Sequence, residues 1–126
     1  MNSKVSMILR ILLGIFVLVF GANKLYPGGF LPAPEGMSEA AGNYFGALVS
    51  SKTIILVGVV EVVAGLALIF NKYGALLAFI LMSISVNAVL YHAVLDPGNI
   101  APAIVLLLLN IVVMYGYKDK YKDLLS

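Results

Sequence analysis

Four apolar stretches, residues 5–25, 53–70, 74–95 and 99–117, take up most of the chain. Each is about the length a helix needs to cross a hydrocarbon core of roughly 30 Å at about 1.5 Å per residue. Of the 126 residues, 62% are hydrophobic and 11% charged, too little polar surface to clothe a water-soluble domain. The sequence predicts an all-α fold: a four-helix transmembrane bundle forming one domain over residues 1–126.

Turn chemistry separates the stretches. Tyr26-Pro27-Gly28-Gly29 closes the first, Asn71-Lys72-Tyr73-Gly74 joins the second to the third, and Asp96-Pro97-Gly98-Asn99 joins the third to the fourth. The two short connections force antiparallel neighbours. Pro102 falls in the first turn of the fourth helix, where a missing N–H costs little. The long connection, residues 26–52, holds the Pro-rich Phe30-Leu31-Pro32-Ala33-Pro34 and then Ser38, a helix cap for residues 39–50. That short helix is expected to lie at the membrane interface or to plug the outer end of the bundle. Gly42 and Gly46 inside it are weak evidence for helix pairing, because they stand outside an apolar span.

Charge sets the orientation. Lys4, Lys72, Lys118, Lys120 and Lys122 flank one side of the spans; Glu35, Glu39, Asp96 and a lone Lys52 flank the other. The excess of basic residues predicts cytoplasmic termini and an outer long loop. Arg10 within the first stretch and the length of that stretch argue against a cleaved leader. Basic residues scattered in this way make no nucleic-acid footprint. With no cysteine and a single histidine, thiol exchange, iron–sulfur clusters, bis-histidine haem and ordinary zinc sites are not expected.

Ionisable groups inside a span cost roughly 2.5–3.5 kcal/mol near the helix centre, so each needs a partner or a function. Arg10, Lys24, Glu61, Asn87 and His92 are the candidate ligand-binding residues, and Glu61, near the middle of the second stretch, is the strongest. At 100° per residue Arg10, Gly14, Gly21 and Lys24 share one stripe of the first helix; Gly58, Glu61 and Gly65 share one stripe of the second. The first helix is therefore expected to face the second through glycines, which permit close approach. Measured from the cytoplasmic ends, Arg10 lies roughly 8 Å deep and Glu61 roughly 14 Å, a gap a guanidinium spans. Two readings stay open: an Arg10–Glu61 ion pair that only fixes register, or a polar cavity in which Glu61 joins Lys24, Asn87 and His92. Asn87 and His92 lie about 140° apart around the third helix. One of the pairs Ser83/Asn87 and Ser85/His92 is thus expected to line the pocket while the other bonds a neighbouring helix. Asn110 reads as inter-helix glue, and Tyr26, Tyr73, Tyr115, Tyr117 and Tyr121 as an interfacial belt.

Arg10-Ile-Leu-Leu-Gly14, Phe20-Gly21-Ala-Asn-Lys24-Leu25, Glu61-x-x-x-Gly65, Asn87, His92 and the basic tail together resemble the DoxX family of small membrane proteins. The chain is similar to short bacterial members with a Pro-rich outer loop. The resemblance implies a four-helix transmembrane bundle in the bacterial cytoplasmic (inner) membrane. Among that family's relatives are a subunit of a thiosulfate:quinone oxidoreductase, a component of an oxidative-stress complex and a chaperone for channel assembly. It implies an accessory or ligand-binding component of a membrane redox or stress-response system, with a quinone or lipid-like molecule as ligand. The alternative is a non-enzymatic assembly factor. The residues form no self-sufficient catalytic constellation. Expected partners are membrane lipid and either another membrane protein or further copies of the chain as a homo-oligomer; transport lacks its usual inverted repeats and broken helices.

Overall fold

The computed structural model describes residues 2–126, which are helical almost throughout. Five α-helices follow in order: α1 (Ser3–Leu25), α2 (Glu39–Ser50), α3 (Thr53–Phe70), α4 (Gly74–Leu95) and α5 (Ala101–Gly116). Short 3-10 segments at Pro97–Asn99 and Lys118–Leu124 flank α5. Helices α1, α3 and α4 are each long and apolar enough to cross a membrane. The 16-residue α5 reaches that length only together with Lys118–Leu124, which bends away by 80°. Pro97 and Pro102 shape its start, and at its end the Tyr117 N–H turns back to the carbonyls of Val113 and Met114. Large apolar side chains cover the outside, Leu12, Ile15, Leu56, Val63, Phe79 and Leu108 among them. Such a surface is at home in lipid, where only internally satisfied helices survive; the protein is a membrane protein.

Local chemistry explains the ends. Asn2 caps α1 by accepting from the Lys4 N–H, and Ser38 caps α2 by accepting from the Ala41 N–H. Asn23 Oδ1 accepts from the Phe30 and Leu31 N–H groups, folding the chain back after α1. Asn71 and Tyr73 both adopt positive φ in the tight α3–α4 connection. Asparagine tolerates that conformation better than tyrosine does.

Helices α1 and α3 make the most extensive contact, and they do so backbone to backbone. A Cβ on Gly14 would lie 2.9 Å from the Gly65 carbonyl oxygen, and a Cβ on Gly21 2.9 Å from that of Gly58. The two glycine stripes meet, as their spacing predicts. By contrast nothing lies within 4 Å of a Cβ on Gly42 or Gly46. Leu13 and Val17 of α1 enter the core with Ala64 and Leu68 of α3, Ala78 and Leu81 of α4, and Leu106 and Val113 of α5. Asn110 crosses that core: its amide donates to the Ala78 carbonyl at 2.9 Å and its oxygen accepts from the Ser85 hydroxyl at 2.7 Å. It is inter-helix glue, fully buried with both ends bonded.

Two of the expected belt tyrosines turn inward. The Tyr121 hydroxyl donates to the Ala75 carbonyl at 2.6 Å and that of Tyr117 donates to Asn71 Oδ1 at 2.5 Å, so the tail folds under the bundle. Tyr26, Tyr73 and Tyr115 remain exposed.

Candidate functional site

Register decides which cation meets Glu61. With Gly14 opposite Gly65 and Gly21 opposite Gly58, Arg10 comes beside Ile69, near the end of α3. Helix α1 thus overhangs α3 by roughly six residues, about 9 Å. Of the two open readings, the Arg10–Glu61 pair, which takes the helix ends as flush, is overturned. Arg10 Nη1 instead donates to the carbonyls of Leu68 and Ile69. Those are among the last carbonyls of α3, which have no partner within the helix and carry its negative dipole end.

Glu61 pairs with Lys24, whose Nζ lies 2.7 Å from Oε1. The glutamate is 2% exposed, whereas the lysine side chain keeps 23% of its surface. At that distance the ammonium and the carboxylate oxygen are within reach of a charge-assisted hydrogen bond. Close packing at Gly21 and Gly58 brings the two side chains together: a Cβ on Gly21 would touch that of Glu61, and one on Gly58 that of Lys24.

This pair forms one wall of a cavity of about 300 Å³ at the loop end of the bundle. Phe16 and Phe20 extend the α1 wall, Ile54 and Val57 the α3 wall, and Pro102, Ala103 and Leu106 of α5 close the far side. Helix α4 contributes Ser83, Ile84, Asn87, Ala88, Tyr91 and His92. These span about 180° of its circumference, so Asn87 and His92 both line the cavity despite their angular separation. The expected division into pairs fails for that reason: Ser83, Asn87 and His92 face the cavity, and Ser85 alone turns to Asn110.

Helix α2 roofs the space with Tyr44, Phe45 and Leu48. Tyr44 accepts from Asn87 Nδ2 at 3.0 Å and stacks on Tyr91 at 4.8 Å between centroids; Phe45 meets the Tyr91 ring edge-on. Two further bonds moor the loop, and a neighbouring contact fixes Asn99. Ser38 donates to the Leu95 carbonyl, and Asn99 Nδ2 donates to the Glu35 carbonyl and to the buried Asp96 carboxylate. His92 Nδ1 lies 3.3 Å from the Asp96 carbonyl oxygen, which orients its ring, with Asp96 Oδ2 at 3.6 Å.

Four of the five predicted residues, Lys24, Glu61, Asn87 and His92, thus surround one cavity, and Arg10 lies at the opposite end. Sequence reasoning missed Tyr91. Its hydroxyl is buried with no hydrogen-bond partner, although buried tyrosine hydroxyls ordinarily find one. The signal was present: Tyr91 follows Asn87 by four residues and so shares its face. The cavity offers an apolar, ring-lined body with an ion pair, an amide and an imidazole at its edge, and Tyr91 in its wall. That combination suits a mostly apolar molecule with a hydrogen-bonding head.

No curated protein and no solved structure matches the chain. A family model does match, that of DoxX, over residues 5–93, which include α1 through most of α4 and every polar residue of the cavity. The chain belongs to the DoxX family.

Proposed function

We propose that the cavity binds an amphipathic small molecule, quinone-like or lipid-like, and that the protein is an accessory or ligand-binding component of a membrane redox or stress-response system. In this reading α1, α3, α4 and α5 are four spans of one domain, and α2 lies in the outer interface. Both termini lie in the cytoplasm of a bacterium and the protein sits in its inner membrane. Lys24 and His92 hydrogen-bond the polar head of the ligand, Asn87 holds the roof over it through Tyr44, and Glu61 exchanges a proton. The observation that carries the proposal is the ring-lined cavity itself, which gathers the Lys24–Glu61 pair, Asn87 and His92 around one apolar space. Arg10 is far from this cavity and has no part in it.

Native mass spectrometry of the purified full chain tests this. The wild type should carry a discrete small molecule that Glu61→Gln and Tyr91→Phe lose while staying folded and monodisperse. Retention of the same molecule by both variants would overturn the proposal. The exposed Phe30 and Val49 favour the alternative, an assembly factor that works through its loop. On that reading the cavity variants are silent, and replacing residues 26–52 abolishes capture of a stoichiometric protein partner.

A further inference from the structure

Arg10 stands at the end of the bundle that holds both termini, and its charge has no carboxylate within ion-pair distance among the described residues. The contrast with Lys24, which Glu61 answers, is sharp. A guanidinium has five N–H donors, yet only Nη1 finds protein acceptors, the two carbonyls at the end of α3. The negative end of a helix carries roughly half an elementary charge, so about half of the arginine's charge stays uncompensated. Nε and Nη2 have no protein acceptor among the described residues.

Beside the guanidinium opens a second cavity, of about 410 Å³, whose polar walls are Ser3, Ser6, Arg10, Asn71 and Tyr117. Ser3, Ser6 and Arg10 share one stripe of α1, so two hydroxyls line the approach to the arginine. Among the described residues, none that lines the cavity is acidic. Lys4, Lys72 and Lys118 flank this end of the helices, adding positive potential around its mouth. Basic pockets between helices at a membrane boundary suit anionic lipid headgroups, and arginine suits phosphate oxygens because its planar donors engage two at once.

We propose that this cavity binds the phosphate of an anionic phospholipid, with Arg10 as its charged ligand and Ser3 and Ser6 as neutral donors. The lipid supplies the negative charge that the protein withholds from Arg10. Bound there, it also tethers the overhanging start of α1 to the end of α3.

The test uses the delipidated full chain in neutral detergent, with phosphatidylglycerol or phosphatidylcholine added and the adducts counted by native mass spectrometry. Wild type should bind phosphatidylglycerol at least roughly tenfold more tightly than phosphatidylcholine, and Arg10→Gln should abolish that preference. Because Arg10→Gln also uncaps α3, Ser6→Leu provides a second variant: it fills the cavity and leaves the carbonyl bonds alone, and it should cause the same loss. Lys122→Ala, at an exposed tail site paired only with Asp119, should change nothing. Competition by millimolar inorganic phosphate would assign the affinity to the phosphate group itself; none would assign it to phosphate and acyl chains together, and both uphold the site. Equal binding of the two lipids, undiminished binding by folded Ser6→Leu, or an equal loss in Lys122→Ala would overturn it.

Discussion

Removing the Lys24 ammonium should destabilise the protein far more than removing the Glu61 charge, although both changes break the same ion pair. At 2.7 Å two unit charges attract by about 6 kcal/mol in an effective dielectric of about 20. Most of this offsets the cost of taking the carboxylate out of water. Lys24→Met leaves Glu61, 2% exposed and some eight residues inside α3, with no cation to answer it. Stranding a buried charge costs about 3–5 kcal/mol. In Glu61→Gln the consequences differ, because Lys24 stands one residue from the end of α1 and already keeps part of its surface. Its flexible stem can carry the ammonium to the interface, leaving a loss of about 1–2 kcal/mol from the amide alone. The double variant should match Glu61→Gln to within about 1 kcal/mol, since no charge is then stranded. Reversible unfolding in mixed micelles gives all four free energies and hence the coupling between the sites. Additive losses, or a Lys24→Met no worse than Glu61→Gln, would refute the reasoning.

Glycine substitutions should split by location. Gly65→Ala puts a methyl 2.7 Å from the Gly14 carbonyl oxygen, and overpacking of this kind costs about 1–3 kcal/mol; Gly42→Ala meets open space and should gain up to about 1 kcal/mol in helix propensity. Opposite signs in one thermal-unfolding series would support the packing described for α1 and α3, and equal signs would contradict it. The tail should also respond to alkali. Burial, with a smaller contribution from Tyr117, pushes the Tyr121 phenol up to about 12 from its ordinary value of about 10. A raised folded pKa stabilises the docked tail below pH ~10, and the contribution is lost as pH rises through about 12. A tyrosinate absorbance step near pH 12 should disappear in Tyr121→Phe; an unchanged step would rule out this assignment.

Much of the architecture was legible because it depends on local chemistry. Helix lengths follow from apolar runs, the start of α2 from Ser38, and the α1–α3 contact from glycines at helical spacing. What a single sequence does not carry is axial offset. The stripe on α1 holds two cations, and only the overhang of α1 past α3 gives Glu61 to Lys24 and Arg10 to the carbonyls. A similar limit applied to α4. Angular separation measures direction from one axis, but a cavity as broad as a helix accepts side chains across half a turn. Tyr91 stood in neither the belt nor the candidate site, because its burial comes only from Tyr44 and Phe45 of α2 packing over it, which no single-helix pattern shows.

The glycine contact has a mechanical consequence. Two rods touching main chain to main chain at Gly14–Gly65 and Gly21–Gly58 leave little soft side chain between them to compress, so α1 and α3 behave as one stiff strut. Helices α4 and α5 share fewer neighbours with that strut and rest on it through side chains able to re-pack. Any guest that swells the loop-end chamber must therefore displace α4 and α5 while α1 and α3 hold still, and reporter groups on the two halves would move unequally.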